Sequence, residues 1–534
     1  MLAVSAFVLF RLTGRALDPI IDTGRDLYIS EQIRHGLKLY RDIRYNYPPL
    51  SPYLLAAITA MTGSSLAAYS AIGGAIAIVT AATVYAMSRI VAAPAAAGAA
   101  ALLFAACSIC SISDRASNYM LPYAYAATLA MLFPLAGTAF ILMWAYVERR
   151  ARWLAVGLAF FLAGSWTKQE GVIFAVLIPL IAAVVHRMPP RWLSAYAIAG
   201  IASFVAVDRY FSDAPDGRHW LFDNVLAPSL LRGSSARFFY RQVSGFDAIG
   251  GNLLAAAAGA LVIGIVILAL RYSDRWPIPA IAILVAVPLI LGVAFFRGWA
   301  IAQLVLLPFA IRRPREPLLM LLALSLCGSS RVFLRLTPEW YGFVFIIPVY
   351  VLIGYTLFEW LPARGAYSMR AARLAIIPII AVAVQFLWIE NRVLSYKTFA
   401  VPTARGVFHD SDGGRATILN AFLSKLQSDR ARSLVVVPEG LALNYLARVP
   451  TSISFHTFTP VETADPAIEA QIIQDIAAHP PQYIAVVTRV VSDFGYRGFG
   501  ADYDQRLAGV IRDHYQPYAR WREPSFELIL LRAR

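Results

Sequence analysis

The sequence predicts a polytopic α-helical membrane protein with about thirteen transmembrane helices, followed by a C-terminal α/β domain. The chain of 534 residues is 59% hydrophobic and only 15% charged, whereas a soluble protein carries roughly 25% charged residues. Apolar runs close to the length of a membrane span, about 20 residues, recur up to residue 390, and shorter apolar runs follow. We therefore divide the chain into a transmembrane domain, 1–390, and a soluble domain, 391–534.

Thirteen apolar runs are predicted to cross the membrane. Arg11 and Arg15 interrupt the first of them. It is therefore either a short, tilted helix whose arginines reach the lipid headgroups or the end of a helix that starts upstream. The predicted spans are 1–17, 66–88, 95–112, 119–147, 152–166, 171–186, 193–211, 252–270, 277–296, 299–311, 317–330, 340–360 and 374–390.

Basic residues in the short connections predict how these spans are oriented. Arginines are concentrated in alternate connections, and cytoplasmic connections are the ones that carry excess basic residues. The loop 18–53 and the C-terminal domain are therefore expected on the outer side of the membrane. The arginine-rich connections are those that contain Arg89, Arg149, Arg187, Arg271, Arg312 and Arg370.

The same distribution of arginines accounts for the net charge of +15. In a soluble protein such a charge would favour nucleic acid as a partner, but arginines at the cytoplasmic ends of helices explain it here, so no nucleic-acid partner is expected. The high content of alanine and arginine is typical of a GC-rich bacterial genome. The predicted location is therefore the inner (cytoplasmic) membrane of a bacterium, with membrane lipids around the protein.

The region 391–534 is predicted to be a small α/β domain, because apolar runs of strand length alternate with helical stretches. It contains no glycine-rich phosphate loop and no metal-ligand cluster. Glu439 and His456 are its conspicuous polar residues, and we expect them to be solvated at strand ends. The predicted strands are 433–439, 451–455, 482–487 and 526–531, and the predicted helices are 414–428 and 465–478.

The polar loop 18–53 is the most informative segment, because it places several carboxylates and tyrosines beside the bilayer. Residues 24–35 are predicted to form a helix along the membrane surface, ended by Gly36. Asp22 and Asp26 either carry out chemistry or act as the N-cap and a first-turn acid of that helix. Charged groups at membrane depth are functional by default, so the loop is a candidate active site.

This loop resembles that of the GT-C membrane glycosyltransferases, in particular the branch of protein mannosyltransferases and lipid A aminoarabinose transferases, with bacterial relatives that act on the lipopolysaccharide core. Asp22 falls at the acidic position of that family, Gly36 at its glycine and Pro48-Pro49-Leu50 at its proline element. Thr23 replaces the usual second acid. The turn SWTKQEG at 165–171 is also similar. The resemblance implies a GT-C-like fold and a sugar donor linked to polyprenyl phosphate.

Such a donor implies an inverting transfer to an acceptor outside the cytoplasm, which is a lipid, a glycan or a protein. A base takes the proton of the attacking hydroxyl, and cations stabilise the departing phosphate. Because phosphate is already a weak base, one carboxylate suffices where glycosidases need two. A divalent cation is possible but not required. The candidate residues are Asp22 and Asp26 for catalysis, Arg25, Lys168, Glu170 and Tyr47 for the donor phosphate, and Asp42, Tyr45 and Tyr123 for the acceptor or sugar pocket.

Three alternatives stay open. Lys168 and Glu170 also fit an ion pair that only stabilises a turn. A lipid-linked sugar transporter or flippase would place charges in the bilayer core and show repeated halves, whereas the charges here cluster in outer loops. A polysaccharide polymerase or ligase would have an arginine-rich outer loop, and the insert 209–250 has that character.

Overall fold

A computed structural model of the protein describes residues 2–21, 23–111, 117–212, 221, 225 and 233–534. Within these residues, apolar helices form a bundle, and two small sheets with their own helices follow it. Seven helices of the described part are long and apolar enough to cross a membrane, and six more apolar helices have 10–17 residues. The chain is thus a multi-pass membrane protein with a C-terminal sheet domain.

Nine helices lie in the described parts of residues 2–212, and they form the first half of the bundle. They are α1 (Leu2–Leu12), α2 (Thr23–Arg34), α3 (Leu50–Thr62), α4 (Leu66–Val91), α5 (Pro94–Cys107), α6 (Tyr125–Leu142, extended by a π-helical turn Met143–Val147), α7 (Ala151–Ser165), α8 (Gly171–Val185) and α9 (Pro190–Phe211).

The second half begins with an amphipathic helix and continues with apolar ones. Its helices are α10 (Ser234–Ser244), α11 (Ile249–Tyr272), α12 (Pro277–Arg312), α13 (Pro317–Ser329), α14 (Gly342–Ala363, built from several short helical segments) and α15 (Met369–Ser395).

Eleven of the predicted spans coincide with an apolar helix of their own, and the other two lie together in α12. A straight helix of 36 residues would be about 54 Å long. The residues just before and just after α12, however, both bind the connection between α14 and α15. Ser368 donates a hydrogen bond to Asp274 at 2.7 Å, and Arg364 donates one to Glu316 at 2.6 Å. The chain therefore reverses direction within α12, where Leu291 has non-helical dihedral angles. The apolar helix that was not predicted is α3.

The predicted helix of the polar loop exists as α2, and Gly36 ends it with a φ of +95° as expected. Its predicted position along the membrane surface stays a prediction, but its polar residues are not exposed as a surface helix would suggest. Residues 23–32 are all buried, because α2 is packed between α3 and a helix of the C-terminal domain. Local apolar periodicity did not reveal this, since the charged residues of α2 are buried by partners far away in the sequence.

The C-terminal domain contains a two-stranded sheet and a four-stranded sheet in the order β3-β4-β6-β5. Strands β3 and β4 are parallel, and the other neighbours in the larger sheet are antiparallel. The elements are β1 (Phe399–Thr403), β2 (Gly406–Asp410), α16 (Gly413–Ser428), β3 (Leu434–Val437), α17 (Leu441–Ala447), α18 (Pro460–Thr463), α19 (Pro466–Ala478), β4 (Tyr483–Val487), α20 (Gln505–His514), β5 (Tyr515–Glu523) and β6 (Phe526–Ala533).

Three of the four predicted strands are confirmed as β3, β4 and β6, and both predicted helices are confirmed as α16 and α19. The predicted strand 451–455 is wrong. Its backbone bonds elsewhere, because the Ser454 carbonyl accepts a hydrogen bond from the Arg44 N–H at 2.9 Å and the Ser454 N–H donates to Asp475 at 2.8 Å. This segment instead connects the polar loop to the C-terminal domain.

Two buried ion pairs also join the polar loop to the C-terminal domain. Arg405 donates to both carboxylate oxygens of Glu31, and Arg415 donates to Asp18 at 3.3 Å. Each arginine is at most 10% exposed in its side chain. Buried pairs are costly to break, so they fix the domain against the loop.

Candidate active site

A cavity of about 230 Å³ lies where the helical bundle meets the C-terminal domain. It is lined by aromatic side chains and by charged ones of both signs. The helical bundle contributes Arg25, Tyr47, Lys168, Arg331 and Trp340, and the C-terminal domain contributes Glu439, Glu462, Arg489, Asp493 and Phe494.

The first turn of α2 holds Arg25 at this cavity. Gly24 approaches α17 so closely that a Cβ atom on it would lie 2.1 Å from the backbone nitrogen of Ala442. The next residue, Arg25, is 7% exposed, and its guanidinium lies 4.9 Å from the centre of the Tyr47 ring and 3.7 Å from the carboxylate of Glu462. The close contact between α2 and α17 therefore determines where this cation sits.

Glu170 holds two further cations side by side. Its carboxylate lies 3.7 Å from the Lys168 ammonium and also pairs with the guanidinium of Arg331. Lys168 is 2% exposed, and its ammonium lies 5.3 Å and 5.4 Å from the ring centres of Tyr47 and Tyr123, a cation–π arrangement. One carboxylate thus contacts two cations on this side of the cavity, and lysine and arginine are the residue types that proteins use to bind phosphate.

The facing side of the cavity is built at the carboxyl ends of two parallel strands. β3 and β4 pair with Val437 opposite Val486, and Glu439 and Arg489 follow them at the same edge of the sheet. Arg489 Nε donates a hydrogen bond to Glu439 Oε2 at 2.7 Å. Ligands of α/β proteins commonly bind outside the carboxyl ends of such strands.

Asp493 adds a second carboxylate to this edge. Its Oδ2 lies 3.5 Å from Arg489 Nη2, and its Oδ1 is buried with no hydrogen-bond partner among the described residues. Loss of hydration raises the pKa of Asp493, although the Arg489 guanidinium acts in the opposite direction.

An apolar groove of about 290 Å³ lies between α7, α8 and α9. Two pairs of consecutive residues are divided between the cavity and the groove. Tyr47 and Lys168 line the cavity, while the residues that follow them, Pro48 and Gln169, line the groove. Gln169 Nε2 also donates a hydrogen bond to the carbonyl of Asn46 at 2.6 Å. The two turns are therefore tied together at the mouth of the groove.

The structure brings together all the residues predicted for the donor phosphate. Arg25, Tyr47 and Lys168 line the cavity, and Glu170 pairs with Lys168 there. Tyr123 also joins them, since its hydroxyl lies 3.5 Å from the Lys168 ammonium.

Of the other predicted residues, Asp22 lies outside the described part of the chain, and Asp26, Asp42 and Tyr45 do not line this cavity. Asp26 is 1% exposed, and its Oδ2 accepts the N–H of Tyr125 at 2.6 Å, which caps the start of α6. Tyr45 lines a smaller pocket beside Arg25. Asp42 is held by hydrogen bonds from Arg41 and from the Lys38 N–H at 2.8 Å, and the bond from Arg41 is the main cause of its lowered pKa.

Sequence reasoning did not assign Arg331, Trp340, Glu462, Arg489 or Asp493 to the site. A signal existed for one of them, because Arg489 follows a predicted strand just as Glu439 does. Parallel pairing of those strands would have placed both at one edge. The others reach the cavity through contacts between distant parts of the chain.

No group of three or more His, Cys, Asp or Glu side chains is placed to hold a metal ion in the described parts of the chain. Arg237 and Arg241, from the arginine-rich insert, lie exposed on α10. The remaining arginines of residues 213–232 lie outside the described residues.

Comparison with known proteins gives structural matches only. No protein-family model and no curated protein matches the chain. ArnT from Cupriavidus metallidurans bound to undecaprenyl phosphate matches with a TM-score of 0.54 and 15% identity, over 99% of this chain and 97% of that chain. The apo state of the same protein matches with a TM-score of 0.51 and 13% identity, over 98% and 96%.

The archaeal oligosaccharyltransferase AglB from Archaeoglobus fulgidus, in complex with an inhibitory peptide and a dolichol-phosphate, matches with a TM-score of 0.50 and 13% identity. The match covers 98% of this chain and 73% of that chain. These matches confirm the fold that the polar loop predicted. The chain has the GT-C fold of membrane glycosyltransferases.

Proposed function

We propose that the protein transfers a single sugar from a polyprenyl-phosphate carrier to an acceptor outside the cytoplasmic membrane, with inversion at the anomeric carbon. The observation that supports this most directly is the cationic side of the cavity beside an apolar groove. A carrier lipid needs both, one for its phosphate and one for its prenyl chain. The structural relatives in complex with undecaprenyl phosphate or dolichol-phosphate agree with this choice.

The donor phosphate would be bound by Lys168 and Arg331. Arg25 lines the same cavity and lies at the edge of the side that carries these two cations. Arginine and lysine are the residues that proteins use for phosphate. Because Tyr47 and Lys168 are followed directly by the groove residues Pro48 and Gln169, a phosphate bound here has its lipid chain at the groove.

Transfer then proceeds by one displacement. The oxygen of the acceptor hydroxyl forms a bond to the anomeric carbon while the bond from that carbon to the phosphate oxygen breaks. The phosphate leaves with the electron pair, and the hydroxyl proton passes to a base. The cations of the wall stabilise the charge that develops on the phosphate.

We assign the base to Asp22 on its sequence position alone. Ile21, which precedes it, and Arg25, which follows in the first turn of α2, both line the cavity. The acidic position of the resembling family supports the same assignment. Asp26 is the less suitable carboxylate, because it already accepts the N–H of Tyr125.

The orientation of the proposed site follows from where the arginine-rich connections lie. Arg149 donates to the carbonyl of His186, and Tyr146 donates to the carbonyl of Arg315. These hydrogen bonds bring three of the arginine-rich connections together. They lie at the ends of α6 and α8 opposite to the ends near the cavity. Cytoplasmic connections carry the excess of arginine, so we place the cavity on the outer side of a bacterial inner membrane.

The test is transfer by purified protein in liposomes that contain a polyprenyl-phosphate sugar. Loss of a general base slows a reaction by roughly 10²–10⁴-fold, so Asp22→Asn should reduce transfer by that factor while undecaprenyl phosphate still binds. Asp247→Asn is the matched control, since this carboxylate pairs with Arg335 and neither residue lines the cavity.

Two results would contradict the proposal. Near-normal transfer by a folded Asp22→Asn protein removes Asp22 from the mechanism. A wild-type protein that moves the carrier lipid between leaflets without ever transferring sugar is a flippase.

A further inference from the structure

The connection between α13 and α14 carries a bulky residue in a strained conformation. Trp340 has a φ of +52°, which lies in the left-handed region. Bulky side chains rarely adopt this conformation. A residue of this kind persists only where its surroundings determine the conformation, and such residues cluster at functional sites. Trp340 therefore calls for both a structural support and a functional reason.

Neighbouring segments supply the support at three points. Ser117 donates a hydrogen bond to the carbonyl of Trp340 at 2.9 Å, and Ser111 donates one to the carbonyl of Pro338 at 2.6 Å. At the end of the connection, Gly342 packs so closely that a Cβ atom on it would collide with a backbone oxygen of the same connection. The backbone at Trp340 is thus fixed by its surroundings.

The indole of Trp340 lines the cavity as part of an aromatic cluster, which we define as Phe239, Trp340 and Phe494. The ring centre of Phe239 lies 6.1 Å from that of Trp340 and 5.1 Å from that of Phe494. Phe239 belongs to α10 and Phe494 to the C-terminal domain, so three distant segments build the cluster. Phe239 and Phe494 are buried, whereas Trp340 is partly exposed. Within the cluster, Trp340 is therefore the ring that a ligand reaches most readily.

The aromatic cluster lies beside a cation that we assign to the donor phosphate. The Arg331 guanidinium lies 4.1 Å from the ring centre of Tyr240 and 5.9 Å from that of Tyr341. Tyr240 directly follows Phe239 in the sequence. Tyr341 directly follows Trp340, and the centres of these two rings are 5.7 Å apart. The ring of a sugar whose phosphate pairs with Arg331 would therefore lie within reach of Trp340.

The chemistry of an indole suits a sugar ring. A pyranose commonly has a face formed by C–H groups, whose hydrogens carry a small positive charge, and its hydroxyls project mainly from the edge of the ring. The face of an aromatic ring is negative, so it attracts such hydrogens. Ligand sites combine aromatic contacts of this kind with a few polar groups that fix the orientation.

We infer that Trp340 binds the sugar of the donor, with its indole stacked on the C–H face of a pyranose ring, while Lys168 and Arg331 bind the phosphate. This inference rests on the proposed function, because it takes the donor to be a polyprenyl-phosphate sugar. It adds the residue that holds the sugar and the chemical class of that sugar, a pyranose with at least one face formed by C–H groups.

The experiment compares lipids of equal charge that bind to the purified full-length protein. The first set is undecaprenyl phosphate joined to glucose, galactose or mannose, and the reference is undecaprenyl methyl phosphate. All of them are phosphodiesters with one negative charge, so a difference in affinity reports the sugar alone. The wild-type protein should bind at least one sugar-bearing lipid roughly 3- to 10-fold more tightly than the methyl diester, the effect of one aromatic contact.

Variants of Trp340 then test the indole. Trp340→Gly removes it but keeps the backbone, because glycine readily adopts a positive φ, and Trp340→Asn is a second such variant, since asparagine also tolerates this region. Both should lose the preference for sugar-bearing lipids and bind the methyl diester as the wild type does. Trp340→His keeps a planar ring in a residue that tolerates this region, so it should retain part of the preference.

Arg430→Gly is the matched control, because Arg430 has a φ of +49°, is exposed and does not line the cavity. It should bind every lipid as the wild type does. A merely structural role for Trp340 would weaken the sugar-bearing lipids and the methyl diester equally, and that result overturns the inference.

Two further results overturn it. One is a wild-type protein that binds no sugar-bearing lipid more tightly than the methyl diester. The other is a folded Trp340→Gly or Trp340→Asn protein that keeps the full preference. Failure of the proposed function looks different, because the wild-type protein would then bind neither kind of lipid or would never transfer sugar.

Discussion

Glu170 is the counter-charge for both Lys168 and Arg331, and all three side chains are at most 17% exposed. Removing one partner of a buried pair leaves an uncompensated charge, which costs more than the pair itself contributes. In the proposed site, Glu170 would thus stabilise the two cations when no anion is bound. A phosphate bound in the cavity would also supply a negative charge to these two cations.

Glu170→Gln should therefore destabilise the protein by roughly 3–5 kcal/mol. Undecaprenyl phosphate should restore more stability to this variant than it adds to the wild type, because it supplies the missing negative charge. Thermal unfolding with and without the lipid measures both effects. The control is Glu148→Gln, whose carboxylate pairs with Arg150 at an exposed position. Equal stabilisation of variant and wild type by the lipid would separate Glu170 from the phosphate site.

Two buried titratable residues of the C-terminal domain have opposite effects on stability. Burial raises the pKa of Asp504 to about 7 and lowers the pKa of His456 to about 4. For Asp504 the unfolded chain ionises first, so stability falls as pH rises from 3.8 towards 7. For His456 the unfolded chain is protonated first, so stability falls as pH drops from 6.5 towards 4.

Between pH 4 and 6.5 the two effects largely cancel in the wild-type protein. Asp504→Asn should leave only the histidine effect, so that this variant loses stability on acidification. His456→Gln should leave only the aspartate effect and gain stability on acidification. Each pKa unit corresponds to about 1.4 kcal/mol, so thermal unfolding across this range resolves both slopes. Parallel profiles for the two variants would contradict the assignment.

At the scale of elements, α2 connects the C-terminal domain to the cavity, because it packs against that domain and holds a cation of the cavity. It is buried between α3 and α17, and its first turn holds Arg25. Any displacement of α17 moves this cation relative to Lys168. The two helices are in close contact at Gly24, so a substitution there tests this contact directly.

Gly24→Ala should separate α2 from α17, since the new Cβ would collide with the backbone of Ala442. Overpacking of this kind costs about 1–3 kcal/mol, against a gain in helix propensity of roughly 0.5–1 kcal/mol. We expect a lower melting temperature and weaker binding of undecaprenyl phosphate. Gly98→Ala in α5 is the control, because a Cβ atom added there would have no other atom within 4 Å, and it should be neutral or stabilising.

The sequence predicted the existence of α2 and its end at Gly36 but not its burial. The reason is that the residues which bury α2 lie far from it in the sequence. Glu31 is paired with Arg405, 374 residues later, and no local pattern reveals such a pairing. Strands β3, β4 and β6 were predicted because their apolar runs are local, whereas β5 contains few apolar residues and was missed.

The residues of the candidate site also divide into those that a local motif predicts and those that only distant contacts bring to the site. Lys168 and Glu170 were assigned from a short similar turn, because the turn itself carries them. Arg489 and Asp493 join the site only once β3 and β4 pair and the domain docks on the bundle. Asp42 lies in the same loop as Arg25, yet the fold of the loop directs it to Arg41. Loop membership alone therefore does not define the site.

At the scale of the whole molecule, the topology rests on α15 as the last span. This helix ends at Ser395, shortly before the first strand of the C-terminal domain. Reporter fusions after Arg373 and after Ser395 should report opposite sides of the membrane, with the first in the cytoplasm and the second outside. Cysteine labelling at the same positions is an independent measurement. The same side for both positions would rule out this topology.

The shared carboxylate of Glu170 has a consequence for turnover. A sugar-linked carrier phosphate bears one negative charge, and the spent carrier bears nearly two, since the second pKa of a phosphate monoester is about 6. If Lys168 and Arg331 bind the carrier phosphate as proposed, they would hold the product more firmly than the substrate. Release of the spent lipid would then be a slow step, as product release is in many enzymes, and the rate of the cycle would depend on how quickly the membrane removes that lipid.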